Sequence, residues 1–375
     1  MSSPRLNQAQ RDALYERHLR PDVMTGAQAA QTPVAMIVAG QPGAGVPLAA
    51  AVLRRELTRT TGTVVQLSGD RLRAYHPAWR PGAVPAPLHA ATVQPEVGPW
   101  FERLVHDAQQ HRFHLLIEDE LHDPRALHKL AVALRKDRYV VQAVFVATHQ
   151  DQSTLSVMAR YDREREHGLP ARFVTAPEHD AALGNVRLAM GLLEDRRAVD
   201  SVRLIDRHAA QLYENRLVAG EWSRAPRAQA TLDVVRDRVA PPRDLVRLAM
   251  QWETLVQRLA HDPGVPGDVA SQALLWRHEA AARCEATPAT AQMLQWAREG
   301  AAFRRMDRFE FEHEFPHHAR AVKSLGAAVL EAEKYDPTES ARFLASAREN
   351  IAQRIERGDM ARIAAREKSH EPPTR

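Results

Sequence analysis

PVAMIVAG (residues 33–40), QPGAGVP (41–47) and LAAAVLRREL (48–57) are the stretch that decides the fold. The first is a continuous apolar run of strand length, bounded by Pro33 and Gly40. Its valine and isoleucine content predicts a buried strand. A glycine-rich turn and then a helix follow, which is the context of a phosphate-binding loop. Gly40, Gly43 and Gly45 allow positive φ and close approach of the backbone to an anion. Loop amides and the helix N-terminus favour negative charge there. The nucleotide-binding candidates are therefore Gly40, Gln41, Pro42, Gly43, Ala44, Gly45, Val46 and Pro47. The motif G-x-x-x-x-G-K-[ST] puts lysine at Val46 and serine or threonine at Pro47. Valine removes the cation that reaches the β- and γ-phosphates. Proline removes the hydroxyl that ligates magnesium, and one N–H donor, although its preset φ suits a first helical turn. Losing one partner of a buried charge pair costs about 2–5 kcal/mol. Unless another cation compensates, nucleotide affinity or turnover is expected to fall by orders of magnitude. On the turn alone, a tight strand-to-helix connection with no ligand stays open.

Outward from this stretch the pattern repeats. TVVQL (63–67), FHLLI (113–117), VVQAVFV (140–146) and the weaker SVRLID (201–206) predict strands. Helical stretches at 48–60, 96–110, 124–136, 151–166 and 177–195 lie between them. Alternating strands and helices predict a parallel sheet with helices on both faces. Ligands then bind beyond the C-terminal strand ends, near residues 40–46, 68–76 and 118–121. Beyond about residue 217 no β-type run is evident, and helices are predicted at about 244–261, 267–285, 288–308, 316–334 and 338–366. The expected organisation is an N-terminal helix and linker (1–32), an α/β domain (33–217), a linker (218–243), an all-α C-terminal domain (244–367) and a disordered tail (368–375).

With 375 residues, 44% hydrophobic and 26% charged, the composition is that of a globular protein. No apolar run of about 18 residues predicts a membrane span. The N-terminus lacks the apolar core of a secretory signal, so a cytoplasmic protein is expected. The net charge of +4 is spread over interspersed charges, with no aromatic–basic platform, which argues against nucleic-acid binding. The single cysteine, Cys284, excludes an intrachain disulfide and a thiolate zinc cluster; its Ala-rich helical context reads as structural. Phe309-Glu310-Phe311-Glu312 with His313, His317 and His318 has irregular ligand spacing. It reads as a loop or helix junction, and no resident metal site is expected.

Asp70 follows the 63–67 strand within Ser68-Gly69-Asp70. It is placed either to take a proton from a substrate hydroxyl or to cap a helix. Glu118-Asp119-Glu120 follow the 113–117 strand and suit a sugar hydroxyl or magnesium, or form a solvated loop. Arg160 and Arg172 present forks that match phosphate oxygens, or serve in surface ion pairs.

These segments together resemble the zeta-toxin family of P-loop kinases over about residues 6–215. The likeness runs from LeuTyrGluArgHisLeuArgProAsp (14–22) through AlaGlyGlnProGlyAlaGly (39–45) and Gly69-Asp70…Tyr75-His76-Pro77. It continues through Ile117-Glu118, Ala159-Arg160-Tyr161-Asp162, and Arg172 with Thr175-Ala176-Pro177-Glu178-His179-Asp180. The resemblance implies a parallel sheet flanked by helices and ATP- and Mg2+-dependent phosphorylation of the 3′-hydroxyl of a UDP-N-acetyl sugar. It also implies restraint by an antitoxin. It makes Asp70 the general base and Arg160 and Arg172 the grips on ATP phosphates. Glu102, Glu118, Glu120 and His76 fall on the sugar-nucleotide side. Two departures stand out: the loop's missing lysine and hydroxyl, and Glu118-Asp119-Glu120 in place of the family's Glu-Gly-Thr. Three readings remain open. The chain is a slow or redirected phosphotransferase, with Arg71 or Arg73 supplying the missing charge. Or it is a pseudokinase that binds a nucleotide or a protein. Or its C-terminal helices act as a built-in antitoxin.

Overall fold

The computed structural model describes residues 6–79, 89–121 and 123–362. The chain divides into two compact units, Met1–Val239 with Val265–Gln272, and Ala240–Gly264 with Ala273–Arg375.

The first unit opens with α1 (Gln8–Leu14), a π-helical turn (Tyr15–Leu19) and α2 (Arg20–Met24), with Pro21 in its first turn. Then come β1 (Val34–Ala39), α3 (Val46–Thr61), β2 (Val65–Ser68), α4 (Gly69–Arg73), α5 (His89–Gln110), β3 (Leu115–Asp119), α6 (Pro124–Lys136) and β4 (Val140–Ala147). They are followed by α7 (Gln150–Glu166), α8 (Ala176–Asp195), β5 (Ser201–Asp206), β6 (Gln211–Val218), β7 (Glu221–Trp222) and α9 (Ala228–Asp237). The sheet order is β2-β3-β1-β4-β5-β6-β7. Strands β2, β3, β1, β4 and β5 are parallel, and β6 and β7 are added antiparallel.

Period two along β1 explains how one apolar strand serves two faces. Ala35, Ile37 and Ala39 join a core with Leu104, Leu127 and Met190 from α5, α6 and α8. Met36 and Val38 join Ala49, Leu53 and Leu57 of α3 on the other face. β1 lies between β3 and β4, with connections leaving in both directions. Its C-terminal end therefore opens at the switch point where α/β sheets bind ligands.

The all-parallel expectation holds for the five strands that surround the loop. β6 and β7 correct the rest. β6 turns Tyr213 and Asn215 inward, and the asparagine at a buried position hid it. Tyr213 Oη and Asn215 Nδ2 donate to Glu194 Oε1 at 2.6 and 3.0 Å. The stretch 218–243, read as a linker, carries β7 and α9, and Ala228 and Leu232 of α9 belong to the first unit's core.

The second unit is all-helical: α10 (Pro242–His261), most of α11 (Gly267–Glu285), α12 (Pro288–Arg305), α13 (Arg308–Glu314), α14 (Ala319–Ala332) and α15 (Pro337–Glu356). Phe303, Phe311, Leu325, Ile351 and Ile355 form one core. Cys284 is buried with Val246, Ala249 and Leu294. Among the described residues no helix is long and apolar enough to cross a membrane. The tail expected at 368–375 lies outside the described residues.

Candidate active site

The loop keeps the shape of a phosphate loop. Gly43 and Gly45 take φ of +80° and +100°, where a side chain is strained. A Cβ on Gly43 would lie 2.1 Å from the Ser153 carbonyl oxygen, so α7 leaves room for glycine alone. Thr148, just past β4, fixes the loop from below: its Oγ1 donates to the Ala44 oxygen at 2.9 Å. Its own carbonyl accepts from Gln41 Nε2 at 2.8 Å. Gly45 precedes α3 and no side chain caps that helix, so its first amides keep their capacity for an anion. Val46 is buried with Met36, Val38, Ala44 and Ala49. Its Cγ2 lies 3.0 Å from where a Cβ on Gly40 would be. The position that would carry a lysine towards phosphate is thus part of the apolar core. Pro42 and Ala44 are buried, and Pro47 is exposed.

Beyond β2, Asp70 lies in the first turn of α4 without capping it. It binds two guanidiniums instead. Arg73 Nη1 contacts its Oδ1, and Arg160 Nη1, from α7, lies 3.1 Å from its Oδ2. Arg160 Nε also donates to Glu164 at 2.9 Å. Burial works to lower the Arg160 guanidinium, but Asp70, Glu164 and Glu120 outweigh it and hold it above the ordinary arginine value.

The turn after β3 aims Glu120. Asp119 Oδ1 accepts from the Leu121 amide at 2.6 Å. Leu121 takes the left-handed φ of +56°, and Asn185 Nδ2 donates to its carbonyl at 2.9 Å. Glu120 then forms an ion pair with Arg172 Nη1. Arg172 Nη2 donates to Glu178 Oε1 at 2.6 Å, and the Arg172 amide to Glu164 Oε2 at 3.2 Å. Arg172 is buried, which opposes its charge, yet Glu120 and Glu178 hold it well above the ordinary arginine value. Gln272 brackets the backbone ahead of α8: its Nε2 donates to the Val174 carbonyl at 2.9 Å and its Oε1 accepts from the Ala176 amide at 2.8 Å.

Glu118 accepts from Gln66 Nε2 at 2.7 Å. Burial raises its carboxyl above the usual range, against the Gln66 hydrogen bond and the Arg71 charge. Asp70, Glu120, Arg160 and Arg172 are thus brought into one network with Arg73, and Glu118 forms a neighbouring cluster with Gln66 and Arg71 that feels the charges of Asp70 and Glu120. Two other candidates are not. His76 is buried, its Nε2 lies 3.1 Å from Glu96 Oε2, and its Nδ1 accepts from the Ala78 amide at 3.1 Å. Glu96 also accepts from the Leu6 amide, so this α5 carboxylate ties together the N-terminal segment and the turn that carries His76. Glu102 is exposed on α5.

Arg71 and Arg73 have partners away from the loop. Arg71 donates to Gln66 at 3.1 Å and Arg73 is on Asp70. An arginine bound to the loop is Arg236 of α9, whose Nη2 donates to Gln41 Oε1 at 3.1 Å and Nη1 to the Leu183 carbonyl at 3.0 Å. Burial pushes its guanidinium down to about 10, with Asp233 offsetting only part. Arg207, after β5, also approaches: its Cβ lies 3.6 Å from where a Cβ on Gly45 would be. Sequence reading missed both. Arg236 sits in the assumed linker, and only α9's apolar pair Leu232 and Val235 hinted at a helix there.

The zeta-toxin family model matches residues 21–218. The chain belongs to the zeta-toxin family. It is 25% identical over 232 residues to Toxin PezT of Streptococcus pneumoniae, covering 55% of this chain and 86% of that protein. It is 23% identical over 211 residues to Toxin zeta of Enterococcus hirae, covering 54% of this chain and 72% of that protein. A solved structure from the PezAT toxin–antitoxin system of S. pneumoniae superposes with a TM-score of 0.53 at 20% identity, over 68% of this chain and 97% of that one. The zeta-toxin segment includes the loop, Asp70, Glu118, Glu120, Arg160 and Arg172, and stops short of Arg236.

Proposed function

We propose that this zeta-toxin chain retains a phosphotransferase pocket for a UDP-N-acetyl sugar but is impaired in holding and using ATP. The observation that carries this reading is Glu120 on Arg172. A carboxylate of the chain occupies the guanidinium that would grip a phosphate, on the same site where Val46 has replaced the loop cation.

The chemistry expected of the intact site needs three things from the protein. Asp70 must accept the proton of the sugar 3′-hydroxyl as its oxygen attacks the terminal phosphorus of ATP and the bond from that phosphorus to the departing ADP breaks. Arg160 and Arg172 must neutralise the charge that grows on the transferred group. The loop must hold the nucleotide. In the resting network Asp70 is engaged by Arg73 and Arg160, and Arg172 by Glu120 and Glu178. Substrate binding must exchange these pairs before the groups can act. Pro47 offers Mg2+ no hydroxyl, so the residues present do not complete the metal's usual place at the loop. One lost charge partner, at about 2–5 kcal/mol, corresponds to roughly a 30- to 5,000-fold deficit.

The test is turnover by the full chain with Mg-ATP and UDP-N-acetylglucosamine, followed by mass spectrometry of the sugar nucleotide. The reading expects binding of the sugar nucleotide with slow or no phosphorylation. Rapid phosphorylation would refute the impairment, and no binding at millimolar concentration would refute the pocket. In that last case the second reading takes over, a pseudokinase whose partner is a protein. The self-paired network supports it, since each arginine already has a carboxylate partner without a ligand. That the relatives are toxins, one from a toxin–antitoxin system, makes an antitoxin-like protein the partner to seek.

A further inference from the structure

We propose that Glu299, His317 and His318, in the helical unit, form a binding site for a transition-metal ion of the Zn2+ class. The segment was set aside in sequence for irregular histidine spacing. The ligand that spacing lacked is Glu299, on α12 and far from the histidines in sequence.

The three side chains converge. Glu299 is 3% exposed although it carries a carboxylate. Its Oε2 lies 2.8 Å from His318 Nε2 and its Oε1 3.2 Å from His317 Nε2. One ligand atom from each residue lies within 4.8 Å of the other two. His317 and His318 are consecutive in a 3-10 turn, Pro316–His318. Consecutive residues there point about 120° apart, so two rings meeting on one carboxylate is not the default of the backbone. Their centroids are nevertheless 4.4 Å apart.

Neighbours hold the arrangement. The His318 ring is buried and stacks on Phe311 at 5.8 Å and 25°. His317 meets Phe315 edge-on at 6.2 Å. Gln295 Nε2 donates to Glu299 Oε1 at 2.9 Å and fixes the carboxylate. Such outer partners orient metal ligands.

Two imidazole nitrogens and a carboxylate oxygen are ligands that Zn2+ accepts at about 2.0–2.2 Å, which sets ligand atoms roughly 3.3–3.5 Å apart in a tetrahedron. Small side-chain rotations reach that spacing from the contacts seen. As a plain ion-pair cluster, a single carboxylate serves two neighbouring rings, whereas one divalent cation satisfies all three groups. Three protein ligands leave a fourth position, and Glu299 lines a cleft of about 600 Å3 with Gln295, Arg298, Glu314 and Phe315. His317 is 55% exposed and gives the ion its approach.

The full chain, stripped with a chelator, would be titrated with ZnCl2 by calorimetry and with CoCl2 by visible absorption. The expected result is one saturable site at micromolar metal, with the intense visible bands of low-coordinate Co2+. His317→Ala removes a mostly exposed ring, and Glu299→Gln keeps the hydrogen-bonding shape. Both are expected to weaken Zn2+ by more than the roughly 10–100-fold that losing an outer partner costs, and to abolish the Co2+ bands. Circular dichroism would confirm that each variant is folded. No saturable binding to the wild type would overturn the site. So would binding of unchanged affinity in folded His317→Ala, which would assign the metal to others of the 18 histidines.

Discussion

Replacing Glu120 with threonine tests whether a carboxylate of the chain competes with phosphate for Arg172. Three guanidiniums, Arg73, Arg160 and Arg172, face four carboxylates, Asp70, Glu120, Glu164 and Glu178. Removing Glu120 equalises the two signs and frees one edge of Arg172. Breaking a fully buried pair costs about 3–5 kcal/mol. Here Arg172 keeps Glu178, and the Glu120 side chain is 25% exposed, so a loss of about 1–2 kcal/mol is expected. That is a fall in Tm of roughly 2–8 °C for a domain of this size. The gain is one charge-assisted hydrogen bond from Arg172 to an anion, about 1.5–3 kcal/mol, or roughly 10–150-fold in affinity. The assay is calorimetric titration of inorganic phosphate and then ATP into wild type, Glu120→Thr and Glu120→Asp. The aspartate variant keeps the charge and is expected to behave as wild type. A folded Glu120→Thr with unchanged affinity for both anions would refute the competition.

Val46→Lys with Pro47→Ser restores the loop's charge and hydroxyl, and Mg-ATP affinity is expected to rise at least about 30-fold by calorimetry, with some loss of stability because Val46 is a core residue. Arg236→Ala removes the Arg236 donor from Gln41 Oε1 and the extra donor from the helical Leu183 carbonyl, so urea unfolding should show a loss of about 1–3 kcal/mol, together with weaker anion binding. Glu118 is raised by burial, so the folded state binds its proton more tightly, and its unfavourable contribution grows as pH rises from the unfolded carboxylate value through the folded one. Glu118→Gln is therefore expected to gain stability relative to wild type as pH rises above the ordinary glutamate value of about 4, read as the difference in Tm along a pH series; a constant difference would contradict the cause.

The strand–loop–helix at 33–57 was legible because every local signal agreed: a double-sided apolar run, glycines at positive φ, and proline in the first turn. α11 was read with the bounds the structure has, since Pro266 and Glu285 lie at clear breaks. β6 was not, because its inner residues include Asn215, whose burial rests on hydrogen bonds with Glu194, Ser223 and Arg224. No periodicity scan weights an asparagine as core. α9 was lost to the prolines and arginines around it. In the site, the residue types at strand ends were readable, but their partners were not. Arg172 meets Glu120 beside the left-handed turn at Leu121, which no residue type announces. Glu164 and Glu178 reach the two arginines from within or beside the same helices. His76 shows the converse: a motif histidine whose surroundings, Glu96 and the Leu6 amide, come from distant parts of the chain.

The most direct measurement is calorimetric titration of Mg-ATP into the full wild-type chain beside the Val46→Lys, Pro47→Ser, Glu120→Thr variant. The wild type is expected to bind at best weakly, and the variant at least about 30-fold more tightly. Tight binding to the wild type, equal to that of the variant, would contradict an impaired phosphate site.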